Sequence, residues 1–476
     1  MLKKHIHDQL ISSLGYTPTP SQQELLSRLT EFIFNNDNKE IFLIQGYAGT
    51  GKTTAIRAMV RTFDSFQLKS VLLAPTGRAA KVLHNYAQKP AFTIHKKIYR
   101  QKSGSDGLGE FVLDRNLHKN TYFIVDEASM IANESYELSS FGSGRLLDDL
   151  IRYVYEGGGC KLILIGDTAQ LPPVKMELSP ALDVKKLESF GLHVYQSFLA
   201  DILRQSEESG ILFNATRFRQ ILVKEKTPVP EIKLEEFPDI EYISGEEVVE
   251  KISDTYDNNG IEETMIITRS NKRANLFNQG IRNQILWREE ELSEGDYLMV
   301  VRNNYYWAED EVEMDFIANG DVAEIIRIMG YQELYDHKFA DVTLRFVDYQ
   351  DIEIDAKIMI DTIHSNSASL SREEGRDFFY KVMEDYQDVK TKKERYKKLR
   401  ANPYFNALQV KFAYAVTCHK AQGGQWKTVF IDHGYITEDM INKEFLRWLY
   451  TAFTRATEKL YLINFNKLFF ETDSIG

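Results

Sequence analysis

Cysteine is almost missing from these 476 residues: Cys160 and Cys418 are the only two. Neither a disulfide framework nor a cysteine zinc site can be assembled from them, which fits a reducing compartment. Long apolar runs are missing too. No stretch of about 18 apolar residues occurs, and the N-terminal MLKKHIHDQLISSLGYTP has no apolar h-region. The expectation is therefore a soluble, cytoplasmic protein with no membrane partner. The third absence is an excess of positive charge. Asp and Glu number 70 against 58 Lys and Arg, for a net charge of −12. That argues against a protein that coats nucleic acid generally. It leaves a local basic groove open, because binding is decided by where Lys and Arg sit. What is present suffices for large cores, with 43% hydrophobic and 12% aromatic residues, and the length suggests two to four domains.

Residues 41–54, IFLIQGYAGTGKTT, carry the strongest local signal. A short apolar strand runs into Gly46-x-x-x-x-Gly51-Lys52-Thr53, and AIRAMVRTF follows with apolar residues at helical spacing. Strand, glycine-rich loop and helix form the context that a phosphate-binding P-loop requires. The glycines let backbone N–H groups turn inward around phosphates, and the helix presents its positive end. Lys52 would reach the β- and γ-phosphates of a nucleoside triphosphate, and the Thr53 hydroxyl would hold Mg²⁺.

Ahead of the loop, residues 1–16 read as a short amphipathic helix and TPTP as a stiff breaker. Residues 21–36 read as a helix capped by Ser21, with Glu24 three residues on. Gln22 in its first turn is either a surface glutamine or an adenine reader, since an amide matches both the donor and the acceptor of an adenine edge. Beyond the loop, strand and helix alternate as in a parallel α/β sheet. Strands at 71–74, 122–125 and 162–165 end in Pro75-Thr76-Gly77-Arg78, in Asp126-Glu127 and in Gly166-Asp167, the last followed by Ala169-Gln170-Leu171. Ligands of doubly wound sheets bind at the carboxyl ends of strands, so these polar residues should converge on the P-loop rim. There Asp126 could hold Mg²⁺ and Glu127 could orient or deprotonate an attacking water. Gln170 could touch both the γ-phosphate and that water, or be a plain loop residue.

The glycine/serine loop at 104–109 predicts a small β-hairpin. A second α/β sheet starts at 264–268, followed by Arg269-Ser270-Asn271-Lys272. From 291 to about 355, β-branched and aromatic runs broken by turn signals predict a small barrel. Tyr305, Tyr306 and Trp307 belong to its core or rim, or stack bases. Residues 390–400 carry seven basic side chains against Glu394 alone, which suits a solvated helix face or contact with backbone phosphates. A strand at 410–417 leads to His419-Lys420-Ala421-Gln422-Gly423. Finally, LRWLYTAFTRATEKLYLI reads as a helix with Arg455 at its centre, then a closing strand. An arginine in so apolar a setting needs a partner, either an internal salt bridge or a phosphate at a domain interface.

In this order, GYAGTGKTT, APTGRAAKVL, FTIHKKI, VDEASM, GDTAQLPPV, AYAVTCHKAQGG and LYTAFTRA resemble motifs I, Ia, the TIH segment and motifs II, III, V and VI of the superfamily 1 DNA helicases. The likeness is to the RecD/Dda type of the 5′→3′ subclass, 1B, and extends from about residue 19 to 463. It implies an α/β fold of two RecA-like P-loop motor domains. The first would span 1–205, with a pin-like hairpin insertion at about 100–118. The second would comprise 206–290 and 406–476, interrupted at 291–405 by an SH3-like barrel and helices.

The resemblance implies ATP and Mg²⁺ as cofactors, with Thr53 and Asp126 toward the metal. Gln22 (with Gln23 as the off-by-one alternative), Gly46, Gly49, Thr50, Gly51, Lys52, Thr53, Thr54 and Gln425 would bind nucleotide. Gln425 stands where the family often has a glutamate toward the ribose, so that contact would lack charge. Lys52, Asp126, Glu127, Gln170, Arg204 and Arg455 would carry catalysis, Arg455 from across the cleft. Pro75, Thr76, Thr93, His95, Ser270, Asn271, Thr417 and His419 would hold single-stranded DNA. The implied activity is ATP-driven 5′→3′ translocation and unwinding at duplex junctions by a monomeric motor. An RNA helicase and an ATP-switched clamp that does not unwind are the alternatives.

Overall fold

Continuous apolar runs, as opposed to alternating ones, mark strands buried on both faces, and the first 200 residues contain several. The computed structural model describes every residue except 36, 38, 103–109, 134–141, 202–208, 225–226, 309–313, 315, 350–351 and 471–476. Its first eight strands are β1 (Glu40–Gly46), β2 (Lys69–Ala74), β3 (Ala91–Thr93), β4 (Tyr99–Lys102), β5 (Glu110–Leu113), β6 (Thr121–Val125), β7 (Lys161–Gly166) and β8 (His193–Leu199). Six of them form one parallel sheet in the order β3-β2-β6-β7-β1-β8. Every residue of β1, β6 and β7 is buried, because helices cover both faces of the sheet. The pair β4–β5 stands apart as an antiparallel hairpin, from Tyr99 opposite Leu113 to Lys102 opposite Glu110. The predicted glycine/serine tip at 104–109 lies outside the described residues.

The second half repeats the plan with an interruption. Strands β9 (Ile240–Ile243), β10 (Thr264–Thr268), β16 (Ala415–Thr417), β17 (Trp426–Asp432) and β18 (Ala456–Ile463) make a parallel sheet in the order β16-β10-β17-β18-β9. Between β10 and β16 the chain builds a closed barrel from β11 (Tyr297–Val300), β12 (Val322–Leu334), β13 (His337–Phe346), β14 (Ile352–Met359) and β15 (Leu408–Phe412). Two helices, Arg372–Glu384 and Lys392–Arg400, are inserted between β14 and β15. They pack Phe378, Val382 and Leu399 on Phe339 and Met359 of the barrel.

Three local expectations are corrected. The second helix runs Pro20–Phe34 and its cap is Thr19, not Ser21, with Gln22 completing the capping box. Pro20 fits the first helical position, where its fixed φ is preorganised and no N–H is needed. The predicted strand at 410–417 is two strands, since β15 closes the barrel before β16 joins the second sheet. The Asn278 side chain bridges the switch, accepting from Ala415 N at 2.7 Å and donating to the carbonyls of Phe412 (3.2 Å) and Ala415 (3.0 Å). Lastly, Arg455 is not in the middle of a helix. The helix Lys443–Phe453 ends two residues earlier, and the Arg455 carbonyl already accepts from Trp426 N at 3.0 Å.

The two sheets meet through one apolar cluster. Ala169 and Leu171, just beyond β7, pack with Leu449, Tyr450 and Phe453 of the Lys443–Phe453 helix, and Tyr47 and Ala48 of the P-loop lie against them. The cleft between the halves is thus lined on one side by the carboxyl ends of β1, β6 and β7 and on the other by this helix.

Candidate functional site

The P-loop is bent by Gly49 and Gly51, with φ of +75° and +88°, a conformation that side-chain-bearing residues avoid. Lys52 folds back over the loop and donates to the carbonyls of Gly46 and Tyr47, both at 2.8 Å, while Asp167 lies 3.7 Å from its ammonium. Gln22 is buried beneath the loop. Its amide donates to Thr50 O at 3.2 Å and to the Tyr16 hydroxyl at 3.0 Å, and its carbonyl accepts from Thr19 N. It therefore ties the loop to the first helices, and reading an adenine would require it to exchange these bonds. Thr53 and Thr54 open the helix Lys52–Ser65.

Asp126 and Glu127 follow β6. The Asp126 carboxylate accepts from the Tyr86 hydroxyl and from Glu127 N. Burial pushes its pKa up, against the opposing pull of the Tyr86 hydrogen bond and the Lys52 charge. Glu127 is held with φ of +53°. Burial raises its pKa as well, and the nearby Arg455 charge counteracts this. A carboxylate raised toward neutrality is a better proton acceptor from water than an ordinary one.

Arg455 comes from the opposite half. It is 2% exposed. It donates to Thr451 O and Gly424 O, both at 3.2 Å, and its guanidinium lies 3.9 Å from the Glu127 carboxylate. The helix Lys443–Phe453 just before it makes further crossings, one of them from Arg447 to the Glu177 carbonyl. The Tyr450 hydroxyl accepts from Ala48 N at 2.7 Å and donates to Asp167 at 2.6 Å, and the Thr451 hydroxyl accepts from Leu171 N at 2.8 Å. Gln422 adds another, donating to Leu171 O at 2.7 Å. Gln170 is buried between these contacts with its side-chain carbonyl unpartnered among the described residues. Gln425 is exposed next to Gly424. Arg204 lies outside the described residues.

Sequence reasoning named Lys52, Asp126, Glu127, Gln170 and Arg455 but passed over Asp167, Tyr86, Gln422, Tyr450 and Thr451 as site residues. Asp167 and Gln422 stood inside recognised motifs. Tyr450 carried one available hint, a phenol in an otherwise apolar helix face, since a buried Tyr hydroxyl usually has a partner.

The candidate strand-binding residues sit elsewhere, at one edge of each sheet. Pro75 and Thr76 follow β2, Thr93 ends β3, Ser270 and Asn271 follow β10, and Thr417 ends β16 with His419 just beyond. In the sheet orders β3 and β2 are the edge pair of one half, and β16 and β10 that of the other. Thr76, Thr93 and Ser270 cap helices, accepting from Ala79 N, Lys96 N and Arg273 N. A hydroxyl that accepts within its own cap still has a proton to donate. Burial lowers the pKa of His95 to about 4 and also lowers that of His419, so both rings are neutral near pH 7.

The residues that could hold Mg²⁺, the Thr53 hydroxyl and the Asp126 carboxylate, are hard oxygen donors and few in number. That suits an ion that keeps most of its waters, and no richer cluster of metal ligands exists among the described residues.

Residues 19–209 match the family profile of an AAA domain, and residues 412–463 that of a UvrD-like helicase C-terminal domain. The ATP-dependent RecD2 DNA helicase of Deinococcus radiodurans is 32% identical over 28% of this chain and 16% of its own length. The ATP-dependent DNA helicase dda of Enterobacteria phage T4 is 29% identical over 36% of each. Over these parts the chain is similar to ATP-dependent DNA helicases. The chain is also 25% identical to an uncharacterized protein of Acanthamoeba polyphaga mimivirus, over 92% of its own length and 98% of the viral chain. It spans far less than two thirds of RecD2 and dda. A solved Pif1 helicase from Bacteroides, in complex with ADP-AlF3 and ssDNA, aligns over 96% of this chain and 95% of its own, with 17% identity and a TM-score of 0.46. No helix among the described residues is long and apolar enough to cross a membrane.

Proposed function

We propose that the protein is an ATP-dependent DNA helicase that moves 5′→3′ along single-stranded DNA and opens duplex at junctions. The observation that carries this reading is the reach of one helix from the second half, Lys443–Phe453 with Arg455 behind it, onto three elements of the first. It touches the P-loop, the Asp126-Glu127 turn and the segment after β7. A triphosphate seated in the P-loop would then be sensed by both halves at once, and each hydrolysis would change how they sit. The named activities of RecD2 and dda support DNA as the track.

Lys52 binds the β- and γ-phosphates, Glu127 takes the proton of the attacking water, and Arg455 steadies charge building on the transferred phosphoryl group. Arg204 would add a second such charge. Mg²⁺, held by Thr53 and Asp126, would neutralise the phosphate oxygens when bound. Gln170, buried between the phosphate side and the interdomain contacts, would pass the state of the γ-phosphate to the strand-binding edge. Gln22 and the uncharged Gln425 would flank the base and ribose. On the edge of each sheet, Pro75, Thr76, Thr93 and His95 on one half and Ser270, Asn271, Thr417 and His419 on the other would grip the strand alternately. Hydroxyls and main-chain amides bind phosphates whatever the base, as a motor requires. A single chain contains both halves of the ATP site, which supports a monomeric motor.

Opening duplex costs about 1.4 kcal/mol of stacking per base-pair step on average, so sustained unwinding needs the ATP cycle. Strand displacement on 5′-tailed and 3′-tailed duplexes tests the reading. The wild type should open the 5′-tailed substrate, and Lys52→Ala should lose both unwinding and DNA-stimulated ATPase. Opening of the 3′-tailed substrate alone would refute the polarity, and stimulation by poly(U) far above poly(dT) would refute DNA as the track.

A further inference from the structure

The helix Lys392–Arg400 stands out against an acidic protein. Residues 390–400 hold seven Lys or Arg and one acid, within a chain of net charge −12. Lys392, Lys393, Lys397, Lys398 and Arg400 are all exposed. Among the described residues no carboxylate pairs with Lys392, Lys397, Lys398 or Arg400. Four like-charged pairs lie three or four residues apart: Lys392 with Arg395, Lys393 with Lys397, Arg395 with Lys398, and Lys397 with Arg400. Each such pair weakens a helix by about 0.2–0.5 kcal/mol. The helix forms nonetheless, because Thr391 caps it and Leu399 is buried on the barrel.

Its place in the fold says what the charge faces. The carbonyl of Ala401, at the helix end, accepts from the Tyr306 hydroxyl at 3.3 Å. The next residue back, Tyr305, packs its ring on Phe111 of β5, centroid to centroid 4.5 Å, and both meet Phe316. Asn406, which accepts from the Trp307 indole and the Asn304 amide, donates to Arg400 O and so fixes the same end. The basic helix is therefore built onto the turn that braces the β4–β5 hairpin. It is not part of the strand-binding edges formed by β2, β3, β10 and β16.

From this juxtaposition we infer that the exposed face of Lys392–Arg400 binds the sugar-phosphate backbone of duplex DNA arriving at the hairpin. The inference rests on the DNA-motor reading above. The nine residues extend about 14 Å, alongside roughly eight phosphate charges of a duplex. Phosphates would relieve the helix's self-repulsion, and lysines on flexible stems suit a contact that must slide without reading sequence.

The test is the triple variant Lys397→Gln/Lys398→Gln/Arg400→Gln in the full chain, compared with wild type by fluorescence anisotropy across a salt series. The probes are a 5′-tailed duplex and the matching single strand. Loss of three phosphate contacts predicts a salt-dependence slope for the tailed duplex shallower by about 2–3, at roughly 0.9 per phosphate. Single-strand affinity and single-strand-stimulated ATPase should be unchanged, and unwinding slowed. An unchanged slope on the tailed duplex would overturn the inference. So would an equal loss on the single strand, which would put the helix on the translocation track. Failure of the motor reading is separately visible as a wild-type ATPase that no DNA stimulates. A second variant, Lys392→Gln/Lys393→Gln, at the other end of the helix, should give a smaller change of the same sign.

Discussion

Arg455→Gln separates two jobs proposed for one guanidinium. The first is charge stabilisation of the transferred group, whose loss typically costs ~10³–10⁵ in rate. The second is electrostatic and can be worked from the structure. Arg455 lies 3.9 Å from the Glu127 carboxylate, and both side chains are largely buried. With an effective dielectric of about 20, a unit charge at that distance favours the ionised carboxylate by about 4 kcal/mol. Burial already raises the pKa of Glu127, and Arg455 is the largest influence opposing it. Removing the charge must therefore raise that pKa further. Only ionised Glu127 can accept a proton from water, so the acidic limb of the pH profile should move to higher pH. The assay is kcat for DNA-stimulated ATP hydrolysis as a function of pH, with single-strand affinity as a check that the fold and the track survive. A variant that retains kcat within about tenfold of wild type would refute Arg455 as the phosphate-facing arginine. A large loss of kcat with the acidic limb unmoved would refute Glu127 as the base that Arg455 tunes.

Two further outcomes follow from buried groups. Tyr450→Phe deletes the hydroxyl shared by Ala48 N–H and Asp167; leaving a fully buried donor unpaired costs about 1–3 kcal/mol, and the partly buried Ala48 N–H loses a share of that. A phosphate oxygen would replace that acceptor, so ADP with Mg²⁺ should raise the thermal midpoint more in Tyr450→Phe than in wild type; equal shifts would refute the competition. Asp321, 2% exposed where the barrel meets the Gly77–Ala87 helix, has its pKa raised to about 7 by burial. A carboxyl raised in the folded state stabilises below its ordinary range and loses that contribution as pH rises through the folded pKa. Asp321→Asn should therefore gain stability over wild type by up to about 4 kcal/mol above pH 7 and little near pH 4, read from urea midpoints at both.

The fold and the site were unequally legible in the sequence. Buried parallel strands announce themselves as apolar runs, and β1, β6 and β7 were placed to within about a residue or two. Polar residues just past each strand, from Pro75 to Asp167, could be assigned to one rim because topology puts strand ends together. The closure of the barrel was not readable. Its last strand, Leu408–Phe412, runs almost directly into β16, and the side-chain bonds of Asn278 sit where one sheet ends and another begins. The cap at Thr19 was hidden by the competing Ser21 and Glu24, which satisfy the same pattern two residues later.

Arg455 shows most clearly what sequence can and cannot decide. The cost of burying a guanidinium in an apolar setting required a partner, and two were open: a salt bridge within the protein or a phosphate at a domain boundary. The structure makes these one contact. The carboxylate paired with Arg455 is Glu127 of the other half, the group proposed to activate water, so the salt bridge is itself a contact between the halves. A charge stored there costs less than an unpaired one, and it is held beside the position where phosphate charge would develop. The crossings by Tyr450, Thr451 and Gln422 could not be read at all, because each spans 251 to 402 residues. They carry the same logic, since Tyr450, Thr451 and Gln422 all land on the P-loop or on the segment from Asp167 to Leu171. Were a triphosphate to occupy the P-loop, any loosening or tightening of these contacts would act on the second half, and with it on the edge formed by β10 and β16.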